Sequence, residues 1–351
     1  MNARVVLLWL LMAVPALAQG FAGLGTSSEG FSTPRPGYRL DFPRDHGAHT
    51  DFRIEWWYLT ANLQGANGKS YGVQWTLFRT ALAPAAGTGW SSPQVWMGHA
   101  AATSAERHLV AERLARDGIG QAGVTQSPFT AWIDDWTMTS VAAPGEDDLA
   151  ALALHAAGSD FSYDLKLTAA GPLVLHGDKG FSVKSQQGQA SYYYSQPFYR
   201  AAGTLRLPDG EVAVTGQAWL DREWSSQPLA PDQTGWDWFS LHLDGGAKLM
   251  GFRLRDAGPG FTSATWIAAD GTAEPIAPGA LRLTPLESGT VAGRRLPLRW
   301  RIELPSKGLD VTTQPLNPQS WMATRFPYWE GPITFTGTAA GRGYLEMTGY
   351  D

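Results

Sequence analysis

From Glu55 to the end, the chain is cut into short segments of alternating polarity, each closed by glycine, proline, aspartate or asparagine, and helical periods are scarce. A period of two sends successive side chains to opposite faces, which is the pattern of antiparallel strands joined by tight turns. Segments 54–63 and 71–78 flank Gln64-Gly65-Ala66-Asn67-Gly68 and read as a hairpin. Segments 151–155 and 161–167 flank Ala157-Gly158-Ser159-Asp160, with Phe161, Tyr163, Leu165 and Leu167 on one face. Segments 203–207 and 212–218 flank Pro208-Asp209-Gly210, where glycine supplies the positive φ that other residues resist. A meander follows over 238–243, 249–254 and 262–268, and a hairpin over 333–339 and 343–348 closes the chain. One stretch departs from the pattern: Leu109, Arg113 and Leu114, after a capping Ser104, predict a short helix over 104–116. Many short strands with glycine turns predict an all-β protein, a barrel or a sandwich.

The ends and the composition bound the class. Residues 1–18 carry one positive charge at Arg4, then an apolar run, then Pro15-Ala16-Leu17-Ala18, the order of a secretory signal peptide. That run is shorter than the roughly 20 residues a spanning helix needs, and no other run is apolar enough. The mature protein is therefore expected to be secreted, into the periplasm, and not to span the membrane. Residues 19–37, rich in Gly, Ser, Thr and Pro, read as a flexible leader. With no cysteine, the chain has neither a disulfide framework nor a lipidated N-terminal cysteine. Its 351 residues exceed a typical single core, which points to two domains, 38–224 and 225–351, divided where the first hairpins give way to the loop 225–234. The formal net charge of -5 comes without a basic stripe, so nucleic acid is not an expected partner.

Two clusters concentrate chemistry. The first, Phe42-Pro43-Arg44-Asp45-His46-Gly47-Ala48-His49, runs on to Glu55-Trp56-Trp57-Tyr58; the second is Trp219-Leu220-Asp221-Arg222-Glu223-Trp224, followed by Gly235-Trp236-Asp237-Trp238-Phe239. Alternation puts Glu55 and Trp57 on one face and Trp56 and Tyr58 on the other. It likewise groups Trp219, Asp221 and Glu223 against Arg222 and Trp224. Carboxylates two apart on a strand lie about 7 Å from each other. If both are desolvated, one retains a proton near neutral pH, as a general acid requires. The alternative is an ion-pair lattice in which Arg53 or Arg79 answers Glu55, and Arg222 and Arg200 answer the second cluster. Histidines 46 and 49 match no compact zinc spacing, so no metal is expected. Gly118-Ile119-Gly120-Gln121-Ala122-Gly123 has the form G-x-G-x-x-G but neither follows a strand nor opens a helix, and it is not read as a dinucleotide site.

Taken together with Ala190-Ser191-Tyr192-Tyr193-Tyr194-Ser195, Tyr328-Trp329-Glu330-Gly331 and Gly343-Tyr344-Leu345-Glu346-Met347-Thr348-Gly349-Tyr350, these motifs closely resemble the AttH-like family of secreted lipocalin-like proteins. The resemblance runs from about Tyr38 to the end. That family is related to the carotenoid 1,2-hydratases (hydroxyneurosporene synthases, CrtC) and more distantly to fungal lipocalin-like Diels-Alderases. The resemblance implies two lipocalin-like antiparallel β-barrel domains, a ligand cavity at or near their interface, and no metal or organic cofactor. Some members are encoded beside ABC-transporter permeases, which makes such a permease a candidate partner. In the hydratases the segment matching Leu220 to Trp224 reads His-Asp-His-Asn-Trp. Asp221 and Trp224 match it, while Leu220, Arg222 and Glu223 replace the histidines and the asparagine, putting a permanent charge at Arg222 where an imidazole would titrate.

Two functions follow as expectations. The first is a carotenoid 1,2-hydratase-like enzyme, a hydro-lyase that adds water to a C=C bond of an isoprenoid or other apolar substrate. Asp221 or Glu223 would protonate the alkene, and His49 or Glu55 would guide the water. The second is a non-catalytic periplasmic carrier of a lipid or other apolar ligand that acts with an ABC transporter. Both expect an apolar small molecule contacted by His46, Trp56, Trp57, Tyr58, Tyr193, Trp219, Arg222, Trp224, Trp236, Asp237, Trp238 and Trp329.

Overall fold

The structure is a computed structural model that describes Ala22, Leu24 and residues 28–84 and 87–350. The expected signal peptide, 1–18, lies outside the described residues, as does part of the leader. The leader's described residues are tied to the body: Tyr192 Oη accepts from the Arg35 amide at 2.8 Å and the Ser32 amide donates to the Asp51 carbonyl at 3.0 Å.

Among the described residues the regular structure is antiparallel strand, with a few single-turn 3₁₀ helices and no α-helix. The first sheet contains β1 (Ile54–Gly65), β2 (Ser70–Ala81), β3 (Gln94–Thr103), β4 (His108–Arg116), β5 (Ala122–Gln126), β6 (Phe129–Ile133), β7 (Trp136–Ser140), β8 (Ala151–Ala157), β9 (Ser162–Ala169), β10 (Val174–Leu175), β11 (Phe181–Val183), β12 (Ala190–Leu207) and β13 (Gly210–Ser225). The second contains β14 (Gly235–Leu243), β15 (Lys248–Arg255), β16 (Phe261–Ile267), β17 (Ala273–Ile276), β18 (Arg282–Val291), β19 (Arg294–Leu304), β20 (Leu309–Pro315), β21 (Trp321–Met322), β22 (Tyr328–Gly337) and β23 (Gly341–Met347). The change of sheet falls in the link 226–234.

Strand order in the first sheet is β4-β3-β2-β1-β13-β12-β9-β8-β7-β6-β5, and in the second β17-β16-β15-β14-β23-β22-β20-β19-β18. Each sheet curls into a near-barrel. In the first, the far end returns to β3 so closely that a Cβ on Gly98 would meet Ile133 Cγ2 at 2.7 Å and the Trp136 ring at 3.3 Å. In the second, a Cβ on Gly251 would sit 2.6 Å from Leu281 Cδ2. This is the all-β, two-barrel lipocalin-like architecture. No helix among the described residues is long and apolar enough to cross a membrane.

The helix expected over 104–116 is instead β4, an edge strand paired with β3 from Val95↔Arg116 to Thr103↔His108. Leu109 and Ala111 pack on the first core while Val110 faces a separate cluster, so a period of two prevails over the weak helical spacing. Gly210 takes φ +123° in its turn, as the Pro-Asp-Gly sequence requires.

Besides the small cluster of Ala101, Met322 and Tyr328 that Val110 faces, three larger apolar clusters organise the interior of the described residues. Trp57, Leu59, Trp75, Trp136, Leu220 and Trp224 fill the first curl, and Leu241, Trp300, Phe335 and Leu345 the second. The third, with Tyr58, Tyr193, Trp219, Trp238, Phe252 and Tyr344, lies between the sheets. There the two curls are joined by hydrogen bonds from Tyr344 Oη to the Val73 carbonyl at 3.0 Å and from Trp238 Nε1 to Tyr193 Oη at 3.1 Å.

Candidate functional site

Register decides which faces meet. β1 and β13 pair with Tyr58 opposite Asp221 and Trp56 opposite Glu223, and β12 adds Ser195 opposite Asp221 and Tyr193 opposite Glu223. Cross-strand partners share a face, so these side chains form one surface on the outside of the first curl. The second sheet covers it with Trp236, Trp238, Phe252, Leu254 and Glu346. Between them lies a cavity of about 690 Å³, lined also by Lys184, His99 and Tyr328 and opening past Leu82, Leu114 and Phe326.

Asp221 is buried at the centre of this surface. Tyr193 Oη donates to its Oδ2 at 2.8 Å, Trp219 Nε1 to its Oδ1 at 2.6 Å, and Ser195 Oγ to the same Oδ1. Burial pushes its carboxyl up to about 7, and the three donors only partly offset that. Ser195 Oγ also meets Nε2 of His176 at 2.6 Å, and the other ring nitrogen of His176 lies 3.0 Å from Thr265 Oγ1. Burial lowers His176 to about 3, so its ring is neutral and can accept from Ser195 when Asp221 donates along the chain.

Across the cavity Glu346 stands opposite both Trp238 and Glu330 in the strand register. Burial pushes its carboxyl up to about 7, against a hydrogen bond from Trp236 Nε1. Glu330 is raised further, by burial and by the neighbouring Glu346, and accepts from the Tyr58 hydroxyl. Glu223 is differently placed: its Oε1 lies 2.6 Å from Lys184 Nζ and accepts from Ser191 Oγ. Lys184 Nζ in turn sits 4.4 Å from the Phe252 ring centroid and 4.7 Å from that of Tyr193. One carboxylate of the surface is thus matched by a cation, whereas Asp221 and Glu346 are surrounded by neutral donors and rings.

The other face of β1 and β13 points into the first curl and carries a closed ion lattice. Glu55 Oε1 bonds Arg79 Nε and the His49 amide, and its Oε2 lies 3.1 Å from both Arg222 and His49 Nδ1. Arg222 lies 3.9 Å over Trp57, and His49 stacks on Trp224 at 4.0 Å. Burial opposes ionisation of Glu55, but Arg79, His49 and Arg222 outweigh it and hold its carboxyl far below the usual range. Burial likewise opposes protonation of His49, and its bonds to Asp45 and Glu55 outweigh that and raise it. His46 is bracketed by Tyr194 Oη at 2.7 Å and Asp147 at 3.2 Å.

Of the residues singled out in the sequence, the structure brings Asp221, Glu223, Trp56, Tyr58, Tyr193, Trp236 and Trp238 to the cavity. It places His46, His49, Glu55, Trp57, Arg222 and Trp224 elsewhere, inside the first curl: strand parity turns Glu55, Trp57, Arg222 and Trp224 away from the second sheet, and the loop carrying His46 and His49 bonds to Tyr194 and Glu55 there. Trp219 backs Asp221 without lining the cavity. Asp237 is spent on Arg253 at 2.8 Å, Arg255 at 2.7 Å and Tyr350, and Trp329 packs in the second core. Among the described residues, no group of three His, Asp or Glu side chains is arranged to hold a metal ion.

Tyr328, Glu330 and Glu346 lie in motifs that carry the family resemblance but were not named as site residues, and Lys184 was not singled out at all. The register of β14, β22 and β23 gathers the first three, and Lys184, just after β11, reaches the cavity from the first sheet. One signal was present: an acid at 346 shares parity with Tyr344 and lies between apolar Leu345 and Met347.

Comparison with known proteins places this geometry. The family model described as AttH-like matches residues 33–350. The crystal structure of an AttH protein from Nitrosomonas europaea is similar with 33% sequence identity and a TM-score of 0.80, covering 92% of this chain and 100% of that one. Kievitone hydratase from Nectria haematococca shares the fold at 16% identity with a TM-score of 0.66, covering 92% of this chain and 98% of that one. No curated protein sequence matches the chain significantly.

Proposed function

The chain belongs to the AttH-like family, and we propose that it is a hydratase that adds water to a carbon-carbon double bond of a neutral, isoprenoid-like substrate held between its two curls. The observation that supports this most is that Asp221 and Glu346, both pushed up to about 7 by burial, face one cavity walled by aromatic rings. Two such carboxyls can share one proton near neutral pH, one serving as acid and the other as base. The similarity in fold to a structure named as a hydratase agrees with this reading.

In the reaction Asp221 gives its proton to one alkene carbon; the π pair forms the new C–H bond and leaves a cation on the more substituted carbon. The faces of Trp56, Trp236 and Trp238 suit that cation through their quadrupoles. Water then attacks it, forming the C–O bond, and loses a proton to Glu346. Exchange of that proton back to Asp221 through bound water restores both groups. The mature protein would act after export, in the periplasm.

A carrier that binds such a molecule unchanged, for delivery to an envelope transporter, is the alternative, favoured by the cavity's wide apolar opening. Incubation of the purified protein with neutral isoprenoid alkenes, followed by mass spectrometry, separates the two. Appearance of a tertiary alcohol supports the hydratase; alkenes that are bound and recovered unchanged support the carrier.

A further inference from the structure

Eight large hydrophobic side chains are exposed among the described residues, and five of them gather at the mouth of the cavity. Leu82, Leu114 and Phe326 line the opening itself. Trp90, 73% exposed, and Ile119 stand beside it on two tips that are packed together: a Cβ on Gly118 would meet the Gly89 carbonyl oxygen at 2.6 Å. Scattered single apolar residues on a surface carry no message, but a contiguous group around a cavity mouth does.

The charge at this rim is basic, although the chain as a whole is acidic. Arg116 and Arg325 both line the opening; neither forms an ion pair among the described residues, and Arg325 is near enough to Glu112 to help lower its carboxyl. Arg116 is aimed by the carbonyls of Trp90 and Ser92, each at 3.3 Å. The nearest acids are engaged inward: Asp117 accepts from Ser92 Oγ and Trp96 Nε1, and Glu112 from the Arg325 amide and His99. An indole and aliphatic tips flanked by two guanidinium groups, neither in a carboxylate ion pair among the described residues, match the boundary between acyl chains and anionic headgroups.

We propose that this rim docks on an anionic lipid surface, so that an apolar molecule passes from the membrane into the cavity without crossing water. The inference goes beyond the hydratase reading and holds equally for a carrier, because it concerns how a ligand enters. Its charge complementarity is local, which distinguishes it from a general attraction that a net acidic protein would not show.

The test is co-sedimentation of the purified full chain with vesicles of phosphatidylglycerol and phosphatidylethanolamine, against vesicles of phosphatidylcholine alone. The protein should pellet with the anionic vesicles and be released by salt. Two variants probe the rim: W90S/I119S, outside the cavity lining, and R116Q/R325Q. Each arginine should be worth about fivefold in partitioning, so the double variant should lose about 25-fold; W90S/I119S should lose at least about tenfold. Unchanged thermal unfolding confirms that the variants fold. The proposal is overturned if wild-type protein stays in the supernatant with both vesicle types, or if both variants bind as wild type does. It is also overturned if sedimentation shows a dimer that W90S/I119S dissociates, which would assign the rim to a second copy of the chain. Alkene binding in detergent solution, measured separately, reports on the cavity whatever the vesicles show.

Discussion

Lys184 Nζ lies 2.6 Å from Glu223 Oε1, with both side chains 7% exposed, while Asp221 two residues along the same face has no cation against it among the described residues. The two neighbouring acids, equivalent by strand parity, are therefore divided into a carboxylate paired with a cation and one held by neutral donors, whose pKa is raised to about 7. Removing one partner of a buried pair leaves the other charge uncompensated, at a cost of about 3–5 kcal/mol. Lys184→Met should destabilise the fold by that order, and Lys184→Met with Glu223→Leu should recover most of it. Urea unfolding of the single and double variants measures this; equal losses in both would show that the pair is not the source.

Glu55 makes the complementary case inside the first curl. It is fully buried between Arg79 and Arg222, so Glu55→Gln should destabilise the protein by about 3–5 kcal/mol and leave alkene affinity in the cavity within about twofold, since the residue does not line it. Unfolding and ligand titration on the same sample check both halves. A large loss of affinity in a protein that is still folded would return Glu55 to the binding site.

Asp221 and Glu346 should act to lower stability as pH rises between about 4 and 7, against His108, His176 and His242, whose pKa values are lowered by desolvation and act the other way in the same window. Asp221 and Glu346 have folded pKa values raised to about 7, so at these two carboxyls the folded state binds more protons than the unfolded one in that window. Their stabilising contribution is complete below the unfolded pKa near 4 and is lost as pH rises through 7. Asp221→Asn with Glu346→Gln should remove that contribution, so that the urea midpoint of the double variant rises relative to wild type as pH increases from about 4 to 7. Glu55, whose pKa is depressed, has the opposite sign and acts only in stronger acid.

Much of the site was legible in strand parity. The separation of Trp56 and Tyr58 from Glu55 and Trp57, and of Asp221 and Glu223 from Arg222 and Trp224, follows from a period of two and holds in the fold. Parity does not say which face lies inside a curl and which meets a second sheet, and so His49, Glu55 and Trp57 read as cavity groups when they belong to the first core. Asp237 misled for a related reason: an acid between indoles looks like a site, yet Arg253 and Arg255 on the neighbouring strand β15 neutralise it. Glu346 and Lys184 needed long-range register, which no local window carries.

Tyr193 tunes the proposed acid. Its hydroxyl donates to Asp221 Oδ2 at 2.8 Å and stabilises the charged form, so Tyr193→Phe should raise the Asp221 pKa by about one unit. In a rate profile the alkaline limb would move up by the same amount, while the acidic limb, set by Glu346, would stay. A shift of the acidic limb instead would exchange the two roles.

Hydration as proposed depends on Asp221 protonating a bound alkene. The most direct measurement is turnover of a neutral isoprenoid alkene in water labelled with heavy oxygen, comparing wild type with Asp221→Asn at matched ligand occupancy. Wild type should give labelled tertiary alcohol, with a rate falling on both sides of about pH 7, and Asp221→Asn should lose at least about a hundredfold in rate without loss of binding. Labelled alcohol formed equally fast by Asp221→Asn, or none formed by wild type while the alkene is bound, would contradict it.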